Sequence, residues 1–161
     1  MLSALPSVLI LGPALLAALL LAMSHLSPPE NVTERSAAAR ALALAAGIQA
    51  IHFGEEAATG FHERLPALLG LPGMPLTLFV TFNLVWLGIW LASIPGLRSA
   101  RKIAFFAAWF LAIAGMINGI AHPLLAIATG GYFPGLVSSP FIAAASIVLW
   151  RRLRAATRTQ F

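Results

Sequence analysis

The chain has 161 residues, 60% hydrophobic and only 9% charged, with ten Lys and Arg, five Asp and Glu, a net charge of +5 and no Cys. Its mean hydropathy of +0.90 lies outside the range of soluble domains, which bury one core beneath a charged surface. This composition excludes an ordinary soluble enzyme, and the lack of Cys excludes disulfides, thiolate nucleophiles and thiolate metal sites.

The first apolar run covers residues 4–26, with no Lys or Arg before it. It is longer than a signal-peptide core and reads as a retained helix, kinked at Pro13. Further runs follow at 37–61, 74–95, 103–128 and 134–150. Each has about 17–25 residues, the length that crosses ~30 Å of hydrocarbon. The expected fold is therefore all-α, an integral membrane bundle of about five transmembrane helices forming a single domain. The breaks carry turn or helix-stop residues: Ser27-Pro28-Pro29-Glu30-Asn31, Pro95-Gly96-Leu97-Arg98 and Gly130-Gly131-Tyr132-Phe133-Pro134. The apolar piece Leu65 to Leu71 is too short to cross. The stretch from Glu63 to Met74 is thus expected to cap the outer mouth of the bundle.

Five spans would place Arg35, Arg40, Arg98, Arg101, Lys102, Arg151, Arg152, Arg154 and Arg158 on one side and only Arg64 on the other. Lys and Arg favour the cytoplasmic side. The expected protein is a multi-pass protein of a bacterial inner (plasma) membrane, N-terminus outside and C-terminus cytoplasmic. The sequence pI near 11.5 then reflects membrane-flanking anchors facing anionic headgroups rather than a nucleic-acid surface. The expected partners are membrane lipids and an apolar small-molecule or lipid substrate, with no nucleic acid. The sequon Asn31-Val32-Thr33 falls on the inner side and is discounted. The oligomeric state is not legible.

Polar residues inside the spans carry the functional information. The second run holds Gln49, His52, Glu55 and Glu56, the third Asn83, and the fourth Asn118 and His122. An acidic residue at the centre of a span costs ~2.5–3.5 kcal/mol even on lenient scales, so such groups face the bundle interior and find partners. His52 with Glu55 and Glu56, and Asn118 with His122, have the i,i+3 and i,i+4 spacings that share a helix face. At ~1.5 Å per residue, His52 and Asn118 each lie about 15 residues from the start of their run, at one depth in the outer half of the bilayer. Pro123 would free the carbonyl of Gly119 near this level. The Ala- and Gly-rich face from Ala37 to Gly47 would let neighbouring helices approach closely. His25 and His62 read as structural histidines. Trp86, Trp90, Trp109 and Trp150 read as packing or interfacial anchors, with Trp86 placed to line a pocket.

His52-Phe53-Gly54-Glu55-Glu56, Asn118-Gly119-Ile120-Ala121-His122 and Tyr132-Phe133-Pro134-Gly135 resemble the HXXEE, NXXXH and YXPG motifs of the HXXEE domain family, small membrane proteins of unknown function. The motifs occur in the family's order and cover most of the chain. The resemblance implies that His52, Glu55, Glu56, Asn118 and His122 form the functional centre, and it supplies no reaction.

Three classes of function are compatible with these residues. In a metal-dependent membrane enzyme, His52, Glu56 and His122 bind one divalent ion, Zn, Fe or Mn, with Glu55, Asn118 and Tyr132 as further candidates for the chemistry. In a metal-free acid/base enzyme, an isomerase or hydrolase for a lipid or isoprenoid-like substrate, a buried Glu and a His exchange protons. In a carrier or proton relay, the same groups bind an ion or headgroup without reaction. Glu56, i,i+4 from His52, takes the inner position, with Glu55 behind it. Too few ligands exist for a fully ligated dinuclear centre.

Overall fold

The computed structural model describes residues 5–24 and 31–158, and within them all regular structure is helical. The order is α1 (Leu5–Ser24), α2 (Val32–Ala58), α3 (Phe61–Ala67), α4 (Leu76–Arg98), α5 (Lys102–Ala128) and α6 (Ser139–Thr157). By length and apolar composition, α2, α4 and α5 can cross a membrane, three helices where the sequence led us to expect five. The difference lies in the first and last helices. Among the described residues the apolar stretch of α1 is Leu11–Ser24. α6 starts late, at Ser139, and runs on through Arg151, Arg152 and Arg154, so the last 7 of its 19 residues are a charged helix end. The residues expected to open that last span, 134–138, instead form turns.

α2 also begins earlier than its apolar run, at Val32, because Glu34, Arg35 and Arg40 occupy its first turns rather than a loop. It ends where Gly60 adopts φ +78°, a left-handed conformation that a helix cannot continue through. His25 and the break at residues 27–30 lie outside the described residues.

Small residues set the packing. α5 is central, against α1, α4 and α6, and α2 packs on α4 and α6. Ala38, Ala39, Ala41, Ala45 and Ala46 of α2 and Ala104, Ala107, Ala108 and Ala112 of α5 are buried, which lets backbones approach as van der Waals association in a bilayer requires. At Gly115 a Cβ would meet the Ser146 hydroxyl, and at Gly119 it would meet Ala143, so α5 and α6 touch nearly backbone to backbone. The Trp90 indole donates to the Ala107 carbonyl at 3.0 Å, tying α4 to α5.

The long helices alternate in direction, which collects the basic termini at one end. There the Arg35 guanidinium donates to the Arg98 carbonyl (3.2 Å), Arg152 lies 3.9 Å from Glu34, and the Asn31 amide donates to the Arg158 carbonyl (2.9 Å). Asn31 of the sequon is 5% exposed and committed to that contact. At the other end α2, α5 and the start of α6 bring the polar residues together.

Candidate metal centre

α2 carries His52, Glu55 and Glu56 in one turn, and their fates diverge because successive helical side chains lie ~100° apart. His52 and Glu56 point at α5. Their partner there is His122: Glu56 Oε1 lies 3.6 Å from His52 Nε2 and 3.4 Å from His122 Nε2. The two imidazoles stand edge to face, centroids 4.8 Å apart. All three side chains are buried, His52 0%, Glu56 6% and His122 1% exposed, and one ligand atom from each lies within 4.8 Å of the others. Asn118 Nδ2 reaches His52 Nε2 at 3.1 Å. The equal depth expected for His52 and Asn118 is thus seen as direct contact.

Glu55 points the other way and organises the turns before α6. Its Oε1 accepts from the Tyr132 hydroxyl (2.7 Å) and the Val137 N–H (3.0 Å). Its Oε2 accepts from the Ser138 N–H (2.7 Å) and the Ser138 hydroxyl. A carboxylate at the N-terminus of α6 also meets the positive end of that helix dipole. Tyr132 is 41% exposed and turned to Glu55. Glu55 and Tyr132, candidates for the chemistry on sequence grounds, therefore hold the loop and stand outside the three-residue cluster.

Proton counting fixes the histidines. The Ser138 hydroxyl has one proton and gives it to Glu55, so in its 2.8 Å contact with His52 Nδ1 it accepts, and Nδ1 bears the hydrogen. His122 Nδ1 lies 2.6 Å from the Pro134 carbonyl, which can only accept, so His122 is also protonated at Nδ1. In the neutral imidazole each Nε2 then carries the lone pair, and both Nε2 atoms face the same Glu56 oxygen. Metal-binding histidines are prepared in this way, with the second nitrogen donating to a carbonyl or an anchored acceptor.

The residues fit an ion. Ligand atoms ~2.0–2.2 Å from a tetrahedral zinc lie roughly 3.3 Å apart, and the two Glu56 separations, 3.4 and 3.6 Å, are close to that. No family model, curated protein or solved structure matches this chain, so the chemistry of the site rests on its own geometry.

Beside the cluster lies a cavity of about 310 Å³. Glu56, His122 and Asn118 form its polar end, and Phe79, Phe82, Trp86, Trp90 and Phe110 its apolar wall, with Gln49 and Asn83 between. Trp86 lines it as expected. Asn83 donates to its own helix at the Phe79 carbonyl (3.0 Å). His52 sits behind Glu56 and does not border the cavity.

α3 is too short to cross, and its segment returns on itself through the Met74 N–H to His62 carbonyl bond (2.8 Å). Phe61 packs its ring 5.4 Å from that of His122, and Leu65 and Met74 border the cavity. The stretch expected as a cap lies over the cluster. In the same stretch the Arg64 guanidinium lies over the Phe133 ring, 5.4 Å from its centroid.

Sequence reasoning missed Ser138, Phe61 and the acceptor role of the Pro134 carbonyl. The pair Ser138-Ser139 before Pro140 is a helix-start signal, hidden when the last helix was begun at residue 134.

Proposed function

We propose that this protein is a membrane-embedded, metal-dependent enzyme acting on an apolar, lipid- or isoprenoid-like substrate, with one divalent ion, Zn, Fe or Mn, held by His52, Glu56 and His122. The observation that carries this reading is the placement of three buried ligand atoms, two Nε2 atoms and Glu56 Oε1, around one point. Such a cluster is satisfied by a metal ion, which all three atoms can ligate at once. Two imidazoles and a carboxylate with open positions form a recurrent catalytic ligand set. A bound ion there would polarise a substrate oxygen or acidify water. The chain's own residues do the rest: Asn118 orients His52 or a substrate oxygen, the Glu55–Ser138 pair holds His52, and the aromatic wall binds the apolar body of the substrate while excluding water.

A second reading, acid/base catalysis without metal, is favoured by one contact. Asn118 Nδ2 donates to His52 Nε2 at 3.1 Å, which occupies that lone pair and leaves a proton shared by Glu56 and His122 as the exchangeable one. Elemental analysis of protein purified in detergent without chelator separates the two. About one ion per chain, lost in His122→Ala, supports the metal site; an ion-free protein that binds or converts apolar substrates replaces it with the second reading.

The same proposal places five helices, α1, α2, α4, α5 and α6, across a plasma membrane, the Arg-rich ends in the cytoplasm and the cluster toward the outer face. The meeting of the three motifs at one site supports the resemblance to the HXXEE domain family.

A further inference from the structure

At the basic end of the bundle, away from the His/Glu cluster, a second cavity of about 200 Å³ is bordered by Leu21 of α1, Trp109 of α5 and Trp150, Arg154 and Arg158 at the end of α6. Trp109 is 1% exposed, and its indole N–H has no hydrogen-bond partner among the described residues. Trp90, by contrast, spends its N–H on a backbone carbonyl. A buried donor left unpaired is costly and is normally satisfied by something. Trp150 stands edge to face against Trp109, centroids 4.8 Å apart, and holds its ring in place.

Among the described residues, the two arginines at this cavity have no acidic partner. Arg152 lies near Glu34 and Arg35 near the Arg98 carbonyl. Neither Arg154 nor Arg158 has an ion pair among the described residues, and both are exposed. The end of a helix ordinarily repels an anion, because its last carbonyls carry partial negative charge. Here the Asn31 amide donates to the carbonyls of Arg158 (2.9 Å) and Ala155 (3.4 Å) and reduces that repulsion.

We propose that this cavity binds the phosphate of an anionic membrane lipid, with Arg154 and Arg158 on the phosphate oxygens and the Trp109 N–H donating to one of them. Guanidinium groups match phosphate geometry, and Trp with Arg at a basic bundle end is the residue pairing of the headgroup layer. Leu21 on the cavity wall favours a lipid over free phosphate, since the acyl chain continues along the apolar surface of α1. This site is independent of the metal centre.

Native mass spectrometry of the full chain released from phosphatidylcholine nanodiscs doped with phosphatidylglycerol tests it. The wild type should retain phosphatidylglycerol, and Arg154→Gln/Arg158→Gln should lower retention about thirtyfold, the combined effect of two interfacial arginines. Trp109→Phe, which keeps a ring and removes the N–H, should lower it as well, whereas Arg151→Gln/Arg152→Gln should not. Undiminished retention in Arg154→Gln/Arg158→Gln, or an equal loss in Arg151→Gln/Arg152→Gln, overturns the site as a diffuse basic attraction. Displacement of the lipid by inorganic phosphate overturns the lipid as the ligand. Should the Arg154/Arg158 variant fail to fold, Trp109→Phe decides alone, and unchanged retention there refutes the proposal.

Discussion

Gly135 lies against the imidazole of His122 with no room for a side chain: a Cβ built there would meet the ring, 2.6 Å from Nδ1, and the residue holds φ +87°. The preceding carbonyl, that of Pro134, takes the His122 Nδ1 proton. One short turn thus fixes both the tautomer and the position of a proposed ligand. Gly135→Ala should lower stability by about 2–5 kcal/mol, adding left-handed strain to a collision, and should release the ion. Gly130→Ala, also left-handed at φ +70° but facing open space, should cost only about 1–2 kcal/mol and leave metal content intact. Thermal unfolding in detergent with parallel metal analysis checks the ordering; equal effects at the two glycines would refute it.

Glu56→Gln and His122→Ala should each abolish metal binding while leaving the bundle folded, because the packing rests on Ala and Gly contacts of α2, α5 and α6. Asn118→Ala should be milder, since Asn118 touches the cluster only through His52. Metal content after gel filtration is the measurement. Retained metal in Glu56→Gln would remove the carboxylate from the ligand set.

Much of this site is legible in the sequence, for a definite reason. Glu56, His52, Asn118 and His122 are expensive in hydrocarbon and must satisfy one another, so helical spacing and depth suffice to bring them together. The division of labour between Glu55 and Glu56 is only half legible: spacing favours Glu56, but of the four donors that claim Glu55 one comes from Tyr132 in the break and three from Val137 and Ser138, in a segment that hydropathy reads as helix. The Arg-rich continuation of α6 through Arg154 is hidden for the related reason that apolar runs report the hydrocarbon layer and not helix ends.

Tyr132 is the only tyrosine in the chain, so its ionisation can be followed by phenolate absorbance. Burial, and then the hydrogen bond to Glu55, push its phenol above the ordinary value of 10.0. The neutral form is the one the fold favours, so this contact's stabilisation is complete below pH 10 and is lost as pH rises through the elevated value. The midpoint should lie above 10 and move down in Glu55→Gln; an unshifted midpoint in the wild type would show that the phenol does not hold Glu55.

The last prediction concerns Ser138, whose hydroxyl joins Glu55 to His52. Removing it leaves the His52 Nδ1 proton without an acceptor in a fully buried position and withdraws one of four donors from Glu55. An orphaned buried donor costs about 1–3 kcal/mol. Loss of the group that orients a ligating histidine typically weakens metal affinity about 10–100-fold. Ser138→Ala should therefore weaken binding without abolishing it, unlike His122→Ala, because the ligands themselves remain. It should also free the His52 tautomer, which ring nitrogen shifts in ¹⁵N-histidine-labelled protein report directly: protonation confined to Nδ1 in the wild type, both tautomers populated in the variant. Unchanged shifts with weakened metal binding would place the effect of Ser138 on Glu55 and the α6 turn instead of on His52.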